Sequence, residues 1–300
     1  MELAIVGLGR MGADMSRRLM QGGHAPVVTD LAAAPVQELV EEGARGAASV
    51  AEAVAQLKAP RVVWCMVPSG DATEQVVQQA LSALSPGDVL VDGANSNWED
   101  SQRRAAQAEK AGVLWLDAGV SGGVWGLEEG YCLMVGGKDE AFEIAKPILE
   151  TLAPEGGLAH VGPEGTGHFV KMIHNGIEYG MLQAYGEGFE ALATYPHHDL
   201  DLPAIADLWG HGAVVRSWLL ELLAHALHDD PRLEHLEGYV ADSGMGRWTV
   251  DFAVANAVPM PAVTAALYAR FASREKDAFS NRAIAALRHQ FGGHKTKKAG

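Results

Sequence analysis

The run Glu2-Leu3-Ala4-Ile5-Val6-Gly7-Leu8-Gly9-Arg10-Met11-Gly12 decides the fold. Five residues of short apolar strand pass into G-x-G-x-x-G, and a helical pattern follows as far as Gly22-Gly23. The glycine motif alone says little. Between a strand and a helix it predicts a dinucleotide-binding turn. The first glycine permits the tight turn, the second lets backbone N–H groups approach a pyrophosphate, and the third lets helix and strand pack closely. The helix N-terminus adds partial positive charge. Gly7, Leu8, Gly9, Arg10, Met11 and Gly12 are therefore candidate cofactor contacts.

Reading outward, Ala25–Thr29 is a second strand, and it ends at Asp30. An acid about 20 residues past the glycines can accept hydrogen bonds from adenosine ribose hydroxyls and would repel a 2′-phosphate. Leu31-Ala32-Ala33-Ala34 brings no base, so NAD is expected and NADP is the less favoured cofactor. Asp30 as a simple cap of the next helix is the competing reading. Short apolar strands continue to alternate with helical stretches. Arg61–Val67 breaks at Pro68-Ser69-Gly70, Val89–Val91 ends in Asp92-Gly93-Ala94-Asn95-Ser96, and Val113–Leu116 leads into Asp117–Gly123, read as a polar loop. Tyr131–Val135 is a further strand and Glu140–Leu152 a helix. The class is α/β, a Rossmann-type doubly wound sheet. Val67 and Asn95 fall at carboxyl ends of strands, where open α/β sheets bind ligands.

From Gly165 strand signals nearly vanish. Gly165–Thr194 reads as one long helix, and Pro203–Leu208, Arg216–Leu227 and Pro261–Arg274 as others. An all-α domain thus follows the α/β one. The boundaries are 1–164, 165–280 and a tail, 281–300. Within the long helix, Lys171, His174, Asn175 and Glu178 stand at i, i+3, i+4 and i+7, on one face. Such a stripe suits a small polyhydroxylated anion better than a core, although a lone helical Lys–Glu pair is usually a surface ion pair. Helical Gly176, Gly180, Gly186 and Gly188 each cost roughly 1 kcal/mol against Ala. Close approach by another helix or a ligand is the expected compensation.

Three hundred residues, 48% apolar and 20% charged, describe a globular chain. A net charge of −15 argues against nucleic acid and anionic membranes as partners. Arg282, Arg288, Lys295, Lys297 and Lys298 nevertheless concentrate in the acid-free stretch 278–300, as a solvated tail or one that meets an anion. Cys65 and Cys132 sit in apolar runs, far from metal spacing, and read as buried thiols in a reducing compartment. His197, His198, His225 and His228 read as structural or surface residues without a carboxylate or cysteine at metal spacing, so no metal is expected. With no secretory pattern or membrane-length apolar run, the expected location is the cytoplasm.

Gly7-Leu8-Gly9-Arg10-Met11-Gly12, Val120-Ser121-Gly122-Gly123 and Gly165-Thr166-Gly167-x3-Lys171 resemble the β-hydroxyacid dehydrogenase superfamily. Within it, His174-Asn175-Gly176-Ile177-Glu178-Tyr179, Asp242-Ser243-Gly244-Met245-Gly246-Arg247-Trp248-Thr249 and Arg288-x2-Phe291-Gly292-Gly293-His294 resemble the short-form 6-phosphogluconate dehydrogenases. The resemblance implies metal-free oxidative decarboxylation of a phosphorylated sugar acid. It also implies a homodimer or tetramer in which the tail of one subunit enters the other's site. Lys171 would be the base and Glu178 the acid, with His174 and Asn175 orienting the substrate. A free lysine has a pKa of about 10.4, so this base needs an apolar or cationic setting. Asn95, Ser121, Gly122 and Gly123 would contact substrate or nicotinamide. Arg247, Arg270 and the neighbouring subunit's Arg288 would meet the phosphate, helped by Tyr179, Thr249 and His294. Arg247 stands where the long form usually has Lys. The neutral segment after Asp30 replaces the usual NADP-phosphate contacts. The alternative is another NAD(P)-dependent β-hydroxyacid dehydrogenase, of 3-hydroxyisobutyrate or tartronate semialdehyde type.

Overall fold

Parallel strands buried on both faces need continuous apolar runs. Ala4-Ile5-Val6, Val27-Val28, Val62–Cys65 and Val89-Leu90-Val91 supply them, all buried. The computed structural model describes residues 1–297, so Lys298 of the basic tail lies outside the described residues. Its two compact units are Met1–Asn175 and the part from Gly176 onward.

The first unit runs β1 (Glu2–Val6), α1 (Arg10–Gln21), β2 (Ala25–Thr29), α2 (Ala33–Glu41), β3 (Arg45–Gly46), α3 (Val50–Ala55), β4 (Val62–Cys65) and α4 (Asp71–Ala83). It continues through β5 (Val89–Asp92), α5 (Trp98–Lys110), β6 (Leu114–Ser121), α6 (Gly126–Glu129), β7 (Cys132–Gly137), α7 (Asp139–Leu152) and β8 (Leu158–Gly162). The eight strands lie in the order β3-β2-β1-β4-β5-β6-β7-β8, and only the β6–β7 pairing is antiparallel. The order reverses between β1 and β4, the switch point at which such sheets bind ligands. One core layer packs α1 and α7 side chains, among them Met15, Leu19, Ile148 and Leu149, on one face of the sheet. The other uses α3, α4 and α5. The class is the doubly wound α/β domain followed by helices that the sequence predicts.

Three readings are corrected here. Asp117–Ser121 is strand, not loop: β6 extends through it, paired with β7 from Leu116↔Gly137 to Ser121↔Cys132. Its polar residues are tolerated because the Asp117 carboxylate accepts from the backbone N–H of Gly165 (2.6 Å) and of His168 (2.9 Å). Cys132 is exposed rather than buried, because it is the outermost residue of β7, whereas Cys65 inside β4 is buried. Close approach compensates the helix glycine at Gly176, where an added Cβ would stand 2.7 Å from Thr249 Cγ2; Gly180, Gly186 and Gly188 have no described atom within 4 Å of such a Cβ. His228 is a surface residue, as read, and pairs there with Asp207 at 2.8 Å.

A long helix, α8 (Thr166–Ala193), carries residues of both units. The second unit continues with α9 (Leu202–Gly210), α10 (Trp218–Asp229), α11 (Met245–Ala255), α12 (Pro261–Ala272) and α13 (Phe279–Gly292). Asp201 caps α9 and Ser217 caps α10 through their side chains. Phe189, Leu202, Ala206, Leu220 and Leu227 form one small core, while Tyr179, Ala266 and Leu267 form another. No residue of α13 is buried. No described helix is long and apolar enough to cross a membrane.

Candidate active site

At the switch point the glycines do different work. A Cβ on Gly12 would overlap Gly7 O at 2.0 Å, and one on Gly7 (φ +95°) would strike Met66 O and Val67 Cγ1 at 2.6 Å. The β4 loop therefore abuts the glycine turn, and Val67 with it. Gly9, the N-cap of α1, has open space where a Cβ would be. No side chain caps that helix and no acid lies in its first turn, so its first N–H groups face that space. A cradle of free donors, shut to side chains and open at Gly9, fits a dinucleotide pyrophosphate. Arg10, exposed, and Met11 follow in the first turn of α1.

Asp30 does not cap α2, whose N-cap is Ala32. Its Oδ2 accepts from the Leu8 N–H at 2.6 Å and its Oδ1 from Ala32 N–H at 2.8 Å. The carboxylate thus braces the glycine turn from the end of β2, at the position expected of a ribose acceptor.

On the neighbouring strands, Asn95 adopts φ +53°. Its amide closes a two-bond bridge to β6: Nδ2 donates to Val120 O (3.0 Å) and Oδ1 accepts from Val120 N (2.8 Å). Ser121, Gly122 (φ +140°) and Gly123 (φ +53°) follow directly. One strand residue earlier, a Cβ on Gly119 would lie 2.5 Å from Lys171 Cβ. Lys171 is thus pressed against β6 and is only 5% exposed. Its Nζ lies 3.4 Å from His174 Nδ1, which is 3.0 Å from Asn175 Oδ1. The imidazole stands between the amine and the amide, able to orient both.

Further along α8, Glu178 is half-buried, and Tyr179 is buried with its hydroxyl accepting from Ser243 N–H at 3.2 Å. The Arg270 guanidinium stacks on the Tyr179 ring, 3.4 Å from its centroid, and donates to Ala241 O. Arg247 lies over Phe271 and grips Asp242 by Nε (2.9 Å) and Nη2 (3.0 Å). Arg274 takes the other side of Asp242 at 2.6 Å. Arg247, then Arg274, hold the Asp242 carboxyl below the usual carboxylate range. Thr249 is buried beneath, its hydroxyl donating to Met245 O. Arg288 and His294 are not brought to this cluster: both are exposed, on and just beyond α13, and Arg288 has no ion pair among the described residues.

Residues 2–162 match the family model described as the NAD binding domain of 6-phosphogluconate dehydrogenase, and residues 167–299 match its C-terminal domain. The chain belongs to the 6-phosphogluconate dehydrogenase family. A Haloferax volcanii protein named 6-phosphogluconate dehydrogenase, NAD(+)-dependent, decarboxylating, is 43% identical over 301 residues, which cover 99% of each chain. A Plasmodium falciparum 6-phosphogluconate dehydrogenase structure superposes with a TM-score of 0.85 at 28% identity, over 97% of this chain and 65% of that longer one. A Mycobacterium tuberculosis 3-hydroxyisobutyrate dehydrogenase gives 0.73, also at 28% identity, over 96% and 99%.

Gly119, Asp117, Arg104 and Arg274 contact the candidate residues or their loops, yet sequence reasoning named none of them as a candidate, reading Asp117 and Gly119 only as part of a polar loop. A signal existed for Arg104. The buried residues of α5 are Ser101, Arg104, Ala105 and Ala108, so a charge occupies the i+3 position of the apolar stripe. Gly119 and Asp117 gave none, because their partners lie some 50 residues on.

Proposed function

We propose that this chain oxidatively decarboxylates 6-phospho-D-gluconate to D-ribulose 5-phosphate and CO2 with NAD, a pentose phosphate and gluconate-utilisation reaction of the cytoplasm. NAD, held by the Gly7–Gly12 turn and Asp30, would supply the acceptor for the hydride that leaves C3. Lys171 takes the C3 hydroxyl proton as that hydride leaves. The resulting ammonium then hydrogen-bonds the 3-keto oxygen and stabilises the negative charge that builds there as the C1 carboxylate departs as CO2. Glu178 protonates the resulting enediolate at the carbon that lost CO2, which becomes C1 of the product. His174 and Asn175 orient the sugar hydroxyls. Asn95, Ser121, Gly122 and Gly123 bound the site from the sheet. No step calls for a metal, since Lys171 polarises the carbonyl.

The observation that carries this reading is the buried Lys171, seated on Gly119 with His174 and Asn175 beside it. Arg270 and Arg247, with Tyr179 and Thr249, would bind the phosphate. Arg288 and His294 would join them from a second copy of the chain in a homodimer or larger homo-oligomer. Supporting that exchange, Phe279, Ile284, Leu287 and Phe291 are all exposed on α13. Asp30 favours NAD, because a 2′-phosphate would face its carboxylate.

The test is steady-state reduction of NAD and of NADP with 6-phosphogluconate and no added metal, followed by nicotinamide absorbance. Fast turnover with NAD and slow turnover with NADP is expected. Fast turnover with NADP would discard the Asp30 argument alone. Turnover of 3-hydroxyisobutyrate but not of 6-phosphogluconate would replace the reading with that of the unphosphorylated hydroxyacid dehydrogenases.

A further inference from the structure

Strand β5 has an aspartate at each end, and each meets an arginine. At the amino end, Asp88 accepts from the Arg61 side chain (3.0 Å) and from the backbone N–H groups of Arg61 and Ser85. At the carboxyl end, Asp92 accepts from Arg104 Nη1 (3.2 Å), from the Ser96 hydroxyl (2.9 Å) and from Ala94 N–H. Only the second pair stands at the edge of the sheet where ligands bind.

Arg104 is 1% exposed, and its guanidinium is divided between two loops. Nη1 donates also to Ser96 Oγ (3.1 Å), Nη2 to Gly70 O (3.3 Å) and Nε to Glu74 Oε2 (3.0 Å). Gly70 ends the loop after β4, whose Val67 lies against Gly7 of the glycine turn. Asp92 and Ser96 flank Asn95, held at φ +53° in the left-handed region that non-glycine residues adopt sparingly. Asn95 in turn is bridged to Val120, next to Ser121. A single buried planar cation therefore ties together the segments that face the cofactor cradle and β6, the strand against which Lys171 packs. A lysine at the same place would supply one compact charge and no fork.

We propose that Arg104 is a positioning residue of this site: by joining Gly70 to Asp92 and Ser96, it holds the loops after β4 and β5 in the arrangement that receives the nicotinamide nucleotide. For turnover the inference rests on the proposed function; for nucleotide binding it rests on the NAD-binding domain alone. Arg104 touches neither reacting group and acts through Asn95 and Val67.

The test compares Arg104→Lys and Ser96→Ala with Arg61→Lys, in the full-length protein. Ser96→Ala removes two bonds of the network without stranding a charge, so it keeps the question answerable if Arg104→Lys folds poorly. NADH affinity is read by nicotinamide fluorescence, stability by thermal melting, and KM and kcat with 6-phosphogluconate. The expected result is that Ser96→Ala and Arg104→Lys weaken NADH binding about tenfold. Their kcat/KM should fall by up to about a hundredfold from misplacement alone. Arg61→Lys should melt earlier yet bind NADH as the wild type does. Unchanged NADH affinity in a folded Ser96→Ala protein, or equal loss of affinity in Arg61→Lys, would reduce Arg104 to a structural ion pair. A wild type that binds NADH but does not turn over 6-phosphogluconate would overturn the proposed function, and the NADH affinities would still decide the role of Arg104.

Discussion

Arg104 and Arg247 both face an aspartate, and the two clusters are opposites. Around Arg104, two carboxylates (Asp92 and Glu74), the Ser96 hydroxyl and the Gly70 carbonyl surround one cation that water does not reach. Around Asp242, two arginines share one carboxylate. Arg270, a few residues away on α12, has no acid partner among the described residues. The first cluster uses every nitrogen of its guanidinium on protein partners and fixes backbone. The second carries surplus positive charge, with the Arg247 side chain half exposed, and suits an anion. A charge count thus separates the proposed site-building arginine from the proposed anion-binding ones.

The largest expected effect lies in the open cluster. Arg270→Met keeps bulk over Tyr179 but removes the cation. A hydrogen bond to a charged group is worth about 1.5–3 kcal/mol, so KM for 6-phosphogluconate should rise roughly 10- to 150-fold while KM for NAD stays put. An equal rise in both constants would assign Arg270 to packing and erase the contrast.

The closed style of polar group is sharpened by Asp117, which is buried and holds the start of α8 through Gly165 and His168. Burial raises its carboxyl above the ordinary value, against the opposing pull of His168 and the two backbone donors. Asp117→Asn turns one acceptor into a donor that faces a backbone N–H. The expected loss is about 1–3 kcal/mol in urea-induced unfolding, with activity falling further because Lys171 rides on that helix. A variant as stable as the wild type would show that α8 starts where it does without this cap.

Much of this contrast was legible beforehand in one direction only. The glycine turn, the alternating strands and the helix carrying Lys171 follow from local pattern, because strand and helix periodicity are local properties. Arg247 and Arg270 were named as candidate phosphate contacts through a family resemblance, whereas Asp242 as the shared anchor of Arg247 and Arg274 was not read at all. Asp117-Ala118-Gly119 has the composition of a loop. It is strand because antiparallel pairing with β7 and the N–H groups of α8 satisfy it, and those partners are remote in sequence. The same holds for β8 and α13, which carry weak apolar patterns of their own.

The smallest effect concerns the rim of the closed cluster. Glu74 accepts from Arg103 at 2.7 Å and from Arg104 at 3.0 Å. Arg103, then Arg104, depress its carboxyl from 4.5 to about 2. A carboxyl depressed on folding contributes stability that is complete above its unfolded value and is lost as the pH falls through its folded value. The contribution of Glu74 should therefore be whole above about pH 4.5 and fade towards pH 2. Glu74→Gln should lower the melting temperature at pH 7 by a small amount, matching at most about 1 kcal/mol for a pair open to solvent. Between pH 4.5 and 2 the variant and wild-type curves should converge. Arg103→Met should reproduce that convergence, because Arg103 is the exposed partner. If Arg103→Met leaves the acid limb unchanged while Glu74→Gln flattens it, then Arg104 alone holds Glu74, and the closed cluster reaches further towards the surface than its burial suggests.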